Sequence, residues 1–333
     1  MIRELIMMVI TGCILGLGIS ATLNMERSAA APVYKQTTDT RAYGTLSGLK
    51  LYDNLPSLQS KKALANPALS VADSARIARL AAPAQPFWLA TPQAALPVDF
   101  LAIITAAKQT GRVPLVVIYG VPWRDCGRYS AGGASQAQQY SDWISRIAAA
   151  LDSTSAIVIL EPDALAGGEC LPKDAMTARK ELIAQAVKTL KINPTTYVYI
   201  DAGNPGWMHH ADMAQRLSEA GISRADGFAV NVSNYYTTAE SVAYGQDISG
   251  LVGGKGFVVD TSRNGRGPAG PGQWCNPPGR AIGDLPRILP GPGGVDAYLW
   301  IKNPGESDGT CNGGPVAGQL WLPQALELAR NAE

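Results

Sequence analysis

The sequence contains very little histidine. Only two of its 333 residues are histidine, and they are the adjacent pair His209 and His210. Neighbouring side chains point in different directions along a helix or a strand, so this pair cannot easily hold one metal ion. The scarcity of histidine argues against a zinc site and against a histidine-based catalytic triad. Any chemistry has to rest mainly on carboxylates, and we expect no metal.

Charge is also scarce, since only 17% of the residues are charged and the net charge is +1. A nearly neutral chain has no electrostatic basis for binding nucleic acid, so we expect no nucleic-acid partner. Hydrophobic residues make up 46% of the chain, which suits a folded core and argues against disorder. The length is sufficient for one large α/β barrel or for two ordinary domains.

The N-terminal segment carries a long apolar run, residues 5–23, preceded by Arg3 and Glu4. Such a run is typical of a cleaved signal peptide or of a signal anchor that stays in the membrane, and the residues leave both readings open. We assign residues 1–28 to this leader, 29–45 to a short polar tether and 46–333 to one folded domain. The protein is then secreted, or tethered through residues 5–23 to the outer face of the cytoplasmic membrane.

Four cysteines follow the leader, and an even number in an exported chain indicates two disulfides. Four cysteines allow three pairings, of which the pairing nearest in sequence would close two loop regions. None of them has the C-x-x-C spacing that is typical of a metal site. The cysteines are Cys126, Cys170, Cys275 and Cys311.

From about residue 46 the chain alternates short β-branched runs with amphipathic stretches. The runs predict seven buried strands, and the stretches between most of them predict helices. This alternation implies a parallel sheet, either a barrel or an open doubly wound sheet, and the lack of a dinucleotide fingerprint favours the barrel. The predicted strands are 87–89, 115–119, 157–160, 197–200, 227–230, 257–259 and 297–301, and the predicted helices are 98–110, 136–151, 173–190 and 212–220.

Polar side chains follow these strands at the ends where parallel α/β folds place functional residues. A single aspartate there is more often a helix N-cap, and Asp125 or Asp163 taken alone would be read that way. The joint pattern of acids at five strand ends, with two tryptophans in the same loops, points instead to a site. Its members are Asp125, Glu161, Asp163, Asp201, Asn231, Asn234, Asp260, Arg263, Lys302, Glu306 and Asp308, with Trp207 and Trp274.

Six segments that carry these residues resemble, in order and in spacing, family 6 of the glycoside hydrolases, the cellobiohydrolase and endoglucanase family. The resemblance implies a distorted seven-stranded, TIM-like parallel β/α barrel. It also implies inverting hydrolysis of β-1,4-glucosidic bonds in cellulose or a related β-glucan, without a cofactor. The segments are VVIYGVPWRDCGRYSAGG (116–133), IVILEPDALA (157–166), YVYIDAGNPGWM (197–208), GFAVNVSNY (227–235), VVDTSRNGRGPAGPGQWCNPPGRAIG (258–283) and LWIKNPGESDG (299–309).

The resemblance implies catalytic roles for five residues. Asp163 matches the general acid that protonates the glycosidic oxygen. Asp125 matches the acid that raises the pKa of this donor and is linked to the attacking water. Asp308 matches an aspartate proposed as base or electrostatic stabiliser, so the base stays open between Asp125 and Asp308. Asp201 matches a further pocket acid, and Tyr119 matches a tyrosine beneath the distorted sugar ring.

The same resemblance implies a set of substrate contacts. Ser130 matches a serine of a mobile loop that holds water, and Trp207 and Trp274 match sugar-stacking platforms. Asn204 stands where the family usually has histidine, and the segment 61–67 lacks a tryptophan that the family often carries, for which the nearby Trp88 would compensate. The other pocket contacts are Asn231, Asn234, Arg263, Lys302 and Glu306.

The four cysteines fall at the family's two disulfides, which implies the pairs Cys126–Cys170 and Cys275–Cys311. Exo-acting members roof the cleft with long loops, one of them inside the second disulfide. That segment is compact in this chain, so we expect an open cleft and endo cleavage. We also expect a monomeric enzyme that binds β-1,4-glucan or cello-oligosaccharides. The alternative is a non-catalytic glucan-binding protein of the cell surface, built on the same barrel.

Overall fold

The structure is a computed structural model that describes residues 46–53, 55, 58–289 and 294–333. The predicted leader, 1–28, and tether, 29–45, lie outside the described residues. The described residues belong to one compact unit. Within these ranges, no helix is both long enough and apolar enough to cross a membrane.

In the described part of the chain, eight strands form one curled sheet in the order β1-β2-β3-β4-β5-β6-β8-β7. Seven of them run parallel, which confirms the parallel barrel-like α/β fold, and the two-residue β7 pairs antiparallel with β8 at the edge. Two residues are too few to show a sequence pattern, so β7 was not predicted. The strands are β1 Phe87–Leu89, β2 Leu115–Ile118, β3 Ala156–Leu160, β4 Thr196–Asp201, β5 Gly227–Val230, β6 Gly256–Asp260, β7 Arg287–Ile288 and β8 Val295–Leu299.

Both faces of the sheet are buried, which explains why the strands are continuous apolar runs instead of alternating ones. Along β2, Val116 and Ile118 face outward and join the core beneath the helices. Leu115 and Val117 face inward and pack with Ile159 in the interior of the curled sheet. Because side chains alternate along a strand, successive residues serve the two cores in turn.

Eight α-helices occur among the described residues, and the four predicted ones are present to within two residues at either end. Five of the eight lie between consecutive parallel strands, in the βαβ order that produces a parallel sheet. The helices are α1 Gln59–Ala63, α2 Val71–Ala81, α3 Val98–Thr110, α4 Ala137–Leu151, α5 Lys173–Leu190, α6 His210–Glu219, α7 Thr238–Leu251 and α8 Leu322–Arg330.

Helix α7 was not predicted because its buried face consists largely of small or polar residues, among them Ser241, Gly245 and Ser249. An added Cβ at Gly245 would lie 2.3 Å from the ring of Phe257 on β6, so the helix approaches the sheet more closely than any side chain would allow. Its start does carry a recognisable signal, since Thr237 and Glu240 form a capping box.

A buried carboxyl lies inside the sheet at the end opposite to the predicted site. Asp296 on β8 is 2% exposed and accepts a hydrogen bond of 2.8 Å from the hydroxyl of Tyr199. Burial raises the pKa of Asp296 to about 7; the hydrogen bond from Tyr199 opposes this shift and the charge of Asp226 adds to it. The carboxyl of Asp296 is therefore protonated in the folded protein at pH values where it is ionised in the unfolded chain.

We predict that Asp296→Asn removes a pH-dependent loss of stability. The pKa is higher in the folded state, so the wild-type protein loses stability as the pH rises from about 4 to about 7, by on the order of 1–4 kcal/mol. Asparagine keeps the acceptor for Tyr199 and has no charge to bury. Urea unfolding at about pH 4.5 and about pH 8 should show the variant gaining on the wild type at the higher pH.

The matched control is Asp152→Asn, because the side chain of Asp152 is 76% exposed. That variant should differ from the wild type by the same small amount at both pH values. Equal behaviour of the two variants would contradict the prediction.

Candidate active site

The loops that follow the carboxyl ends of the strands enclose a cleft. It contains most of the predicted site residues together with several that were not predicted, notably Arg124, Arg179, Tyr236 and Gln273. Of the predicted residues, the cleft is lined by Trp88, Tyr119, Asp125, Ser130, Asp163, Asn204, Trp207, Asn234, Trp274, Lys302 and Asp308.

Asp163 is positioned by the backbone that leaves β3. Its φ is +69°, and that of Glu161 is +54°, so two non-glycine residues adopt the left-handed region in one short turn. The buried carboxylate of Glu161 holds this turn against β2 by accepting from the N–H groups of Gly120 and Val121 at 3.0 Å. Such local strain persists only where surrounding contacts enforce it, and it is common at functional sites.

Two neighbours hold Asp163 from opposite sides. Its backbone N–H donates to the carboxylate of Asp201 at 2.9 Å. Its own carboxylate accepts from the hydroxyl of Tyr119 at 3.2 Å. Asp201 itself is completely buried at the end of β4, beneath the cleft floor, and also accepts from Gly203 N at 3.1 Å. Asp201 therefore contacts the backbone of Asp163 and does not line the cleft.

The surroundings of Asp163 favour its protonated form. Burial raises the pKa of Asp163 to about 7, and the charges of Asp125 and Asp308 add to the shift. The hydrogen bond from Tyr119 and the charge of Lys302 oppose it. Burial likewise raises the pKa of Asp201 well above its usual value, with the charge of Asp163 as the next cause. A carboxyl with a pKa near 7 is suited to donate a proton at neutral pH.

Asp308 has the opposite electrostatic environment. The guanidinium of Arg263, fully buried, donates to both of its oxygens, at 2.9 and 3.0 Å. Lys302 Nζ lies 3.7 Å from one of them, and Tyr235 OH and Asn276 N donate to the other at 3.3 and 3.0 Å. Burial alone would raise the pKa of Asp308, but Arg263 and Lys302 outweigh it and hold the pKa below its usual value.

The Asp125 loop, residues 123–132, follows β2 and carries the third cleft carboxylate. Asp125 is half-buried and accepts from Ser130 N at 2.7 Å. Arg124 joins the start of the loop to its end, because its guanidinium donates to Ser130 O at 2.7 Å and to Ala131 O at 2.9 Å. It also donates to Tyr119 O, just after β2, at 2.7 Å. Arg124 was missed as a site residue, although its place beside Asp125 in the motif was the available signal.

The two predicted disulfides are present, Cys126–Cys170 and Cys275–Cys311. The first joins the Asp125 loop to the segment after β3, and the second closes the segment between β6 and the loop after β8. Each therefore fixes loops that carry cleft carboxylates. The rings of Tyr129 and Trp274, one from each disulfide-linked region, meet edge to face with their centroids 6.0 Å apart.

A second depression continues the cleft past Trp88, which lines both, as do Tyr119, Ser130 and Lys302. Trp88 donates through its indole N–H to Ile301 O at 3.0 Å, and its ring meets Tyr119 edge to face. Glu306 lies here, next to Gln59 of α1, and its pKa is raised by burial. Gln59 is far away in sequence and had no motif to indicate it.

Three of the predicted substrate contacts, Asn231, Arg263 and Asn204, form hydrogen bonds to other groups of the protein. Asn231 is completely buried and donates to Asp260 O at 2.9 Å and Tyr236 O at 3.1 Å. Arg263 lies behind Asp308, as described above. Asn204 lines the cleft, but its side-chain oxygen accepts from Gly206 N at 3.1 Å, which shapes the turn before Trp207. Among the described residues, no group of three or more acidic, histidine or cysteine side chains could hold a metal ion.

The cleft thus combines a carboxyl held protonated with a carboxylate held ionised, and it presents half-exposed aromatic rings, Trp207 at 37% and Trp274 at 39%. Cleavage of a glycosidic bond needs one protonated and one ionised carboxyl group across that bond. Indole rings offer flat apolar faces on which the C–H groups of a pyranose ring can pack. The arrangement suits acid–base cleavage of a polysaccharide.

Known proteins agree with this chemistry. The family model described as Glycosyl hydrolases family 6 matches residues 47–332. Endoglucanase A of Cellulomonas fimi is 45% identical over 271 residues, which cover 80% of this chain and 58% of that relative. Endoglucanase 1 of Streptomyces halstedii is 40% identical over 311 residues, which cover 91% of this chain and 93% of that relative. The chain therefore spans little more than half of the first relative and nearly all of the second.

Solved structures show the same fold. The endoglucanase Cel6 from Mycobacterium tuberculosis, in complex with methyl-cellobiosyl-4-deoxy-4-thio-β-D-cellobioside, is 42% identical with a TM-score of 0.80, covering 87% of this chain and 99% of that one. The catalytic core of a cellobiohydrolase from Chaetomium thermophilum is 29% identical with a TM-score of 0.74, covering 87% of this chain and 98% of that one.

Fold and comparisons together define a glycoside hydrolase built on a curled parallel β/α sheet. The chain belongs to family 6 of the glycosyl hydrolases. The resemblance carried by the six sequence segments is thereby confirmed.

We predict that Tyr119→Phe raises the pH at which activity is lost on the alkaline side. The hydroxyl of Tyr119 lowers the pKa of Asp163 by donating to its carboxylate, so its removal raises that pKa and keeps the acid protonated to higher pH. The measurement is kcat/KM for a cello-oligosaccharide as a function of pH. Tyr236→Phe is the control, because Tyr236 also lines the cleft but its hydroxyl lies against Gly206. An unchanged or downward shift for Tyr119→Phe would be inconsistent with a proton held by Asp163.

Proposed function

We propose that this protein hydrolyses β-1,4-glucosidic bonds in the interior of cellulose or a related β-glucan chain, with inversion at the anomeric carbon. The proposal rests above all on the unequal treatment of the cleft carboxyls: Asp163 has a pKa raised to about 7 by burial, whereas the pKa of Asp308 is held below its usual value against the effect of burial. The endoglucanase relatives supply the substrate class.

In the proposed mechanism, Asp163 donates its proton to the glycosidic oxygen as the bond breaks. Tyr119, which bonds to the same carboxyl at 3.2 Å, orients it and stabilises the carboxylate that remains. Asp201 accepts the N–H of Asp163 and holds the backbone in its left-handed conformation. A water molecule attacks the anomeric carbon from the opposite face of the sugar, as inversion requires.

The base has two candidates, and the contacts favour Asp125 over Asp308. Both oxygens of Asp308 accept charged hydrogen bonds from Arg263, and its lowered pKa makes it a poor proton acceptor. A fixed negative charge at this position instead stabilises the positive charge that develops on the sugar ring. Asp125 is half-exposed in the cleft next to Ser130, where water has access.

A substrate with a good leaving group separates the roles of acid and base. Asp163→Asn should lower kcat on cellohexaose by about 10²–10⁴-fold, and much less on an aryl cellobioside whose dinitrophenolate leaves without a proton. Asp125→Asn should lower kcat on both substrates, because both need the activated water. Proton NMR of the wild-type reaction should show α-anomers first.

Three results would contradict this assignment. Initial β-anomers would exclude inversion, and equal losses of Asp163→Asn on both substrates would exclude its role as the acid. Binding of cellohexaose without cleavage by the wild-type chain would favour the alternative, a non-catalytic glucan-binding protein.

The endo mode is supported by the compact second disulfide, whose cysteines are 36 positions apart, and by the exposure of Trp207 and Trp274. We predict that the viscosity of carboxymethylcellulose falls steeply while few reducing ends have formed. A cut in the interior of a chain divides it into two much shorter pieces, whereas a cut at its end leaves its length almost unchanged. A parallel reaction with an exo-acting cellobiohydrolase is the control. A viscosity that falls only in proportion to the reducing ends would exclude the endo mode.

We also propose export of the protein, as the apolar run at residues 5–23 suggests. The two disulfides support this proposal, because disulfides persist in oxidising compartments outside the cytoplasm. Sequencing of the N-terminus of the protein outside the cell decides between a cleaved leader and a retained anchor, and a protein confined to the cytoplasm would exclude both. The monomeric state stays a prediction.

A further inference from the structure

Trp123 has no role in the mechanism above, yet two of its features are unusual. Its side chain is the most exposed aromatic one in the described ranges, at 73%. Its φ is +59°, in the left-handed region that bulky residues rarely adopt. Both features are unfavourable for folding: a large apolar ring is exposed to water, and the backbone adopts a conformation that suits glycine or asparagine better. Local strain of this kind is characteristic of functional positions.

The backbone of Trp123 is held rigidly in this conformation. Its carbonyl oxygen accepts from Arg179 Nη2 at 3.0 Å and from Cys126 N at 3.2 Å. Arg179 is 5% exposed and also donates to Pro122 O at 2.8 Å, while Cys126 is linked to Cys170. The exposed ring therefore stands on a fixed base, so little conformational entropy is lost when a ligand binds to it.

A chain of contacts connects the backbone of Trp123 to Trp207, which lines the cleft. Cys126 donates its backbone N–H to Trp123 O. The Sγ of the same residue lies 3.0 Å from Gly167 O. Gly167 packs against the ring of Trp207, since an added Cβ would be 2.9 Å from that ring. The described residues that line the cleft include Arg179 and Gly167 but not Trp123.

We propose that Trp123 is a further binding platform for the glucan chain, outside the cleft and beyond Trp207. A β-1,4-glucan longer than the cleft would leave it here and stack a pyranose ring on the exposed indole. This inference rests on the proposed function for the nature of the ligand. The residue contributes affinity for long chains and no chemistry, because it lies outside the lining of the cleft.

Two substitutions separate the ring from the backbone. Trp123→Asn removes the platform, and asparagine suits the left-handed backbone, so the melting temperature should stay equal or rise. Trp123→Tyr keeps an aromatic face. Ile192→Ala is the matched control, since Ile192 is 79% exposed and precedes β4 at the opposite end of the sheet.

The full-length chain and the three variants are compared in two measurements. The first is kcat/KM on cello-oligosaccharides from cellotriose to cellohexaose and on hydroxyethylcellulose. The second is retardation in a native gel that contains hydroxyethylcellulose, which reports binding without cleavage. Trp123→Asn should lose roughly 3- to 10-fold in kcat/KM and in affinity on the polymer and little on cellotriose, as expected for one aromatic contact. Trp123→Tyr should retain most of the affinity, and Ile192→Ala all of it.

The outcomes are distinguishable from those that test the proposed function. If the wild type cleaves glucan but Trp123→Asn matches it on every length, or loses equally on every length, the platform is excluded while hydrolysis stands. If the wild type cleaves nothing but its retardation in the gel still depends on Trp123, the platform stands and the proposed hydrolysis fails. A lowered melting temperature of Trp123→Asn together with equal losses on all lengths would identify a purely structural residue.

Discussion

The buried ion pair between Arg263 and Asp308 governs the electrostatics of this cleft. Arg263 is completely enclosed, and it commits both oxygens of Asp308 to hydrogen bonds from a permanently charged group. Removing one partner of such a pair would leave an uncompensated charge in the protein interior. The negative charge of Asp308 is thereby fixed, and it contributes to the raised pKa of Asp163. Arg263 and Lys302 thus keep Asp308 ionised, while burial is the main cause of the raised pKa of Asp163.

The loops that surround this pair adopt conformations that cost free energy locally. Asp125, Glu161, Asp163 and Asn231 all have positive φ, and each such residue costs roughly 1–2 kcal/mol relative to a relaxed backbone. Buried partners offset these costs: Glu161 accepts the N–H groups that leave β2, Asp201 accepts that of Asp163, and Arg124 joins the ends of the Asp125 loop. The strain and its supports lie at the carboxyl ends of the strands, where the site is, while the opposite end of the sheet holds the neutral Asp296–Tyr199 contact.

Carboxyl groups at the two ends of the sheet both have a raised pKa, but they differ in whether a ligand can reach them. Burial raises the pKa of both Asp296 and Asp163 to about 7. Asp296 is sealed in the interior and affects only stability, whereas Asp163 lines a cleft open to a ligand. A perturbed pKa alone therefore does not identify a catalytic group; access and the company of a second, oppositely perturbed carboxyl do.

The amino-acid sequence by itself determined the seven parallel strands, four of the helices and the acids at the strand ends. It did so because hydrophobic periodicity is local, and because parallel strands bring their carboxyl ends to one edge. The sequence did not reveal α7, whose buried face is small and polar, or β7, which is too short for a pattern.

The sequence also did not predict which cleft carboxyl is protonated. Asp163 and Asp308 are both aspartates after strands, and only the folded chain decides that Arg263 lies under one and not the other. Two further contacts depend on the tertiary structure in the same way. Glu306 contacts Gln59, 247 positions away, and the side chain of Asn231 is buried behind the cleft, where it donates to Asp260 O. Which neighbours a side chain has, and therefore its charge and its access to substrate, depends on contacts between residues far apart in sequence.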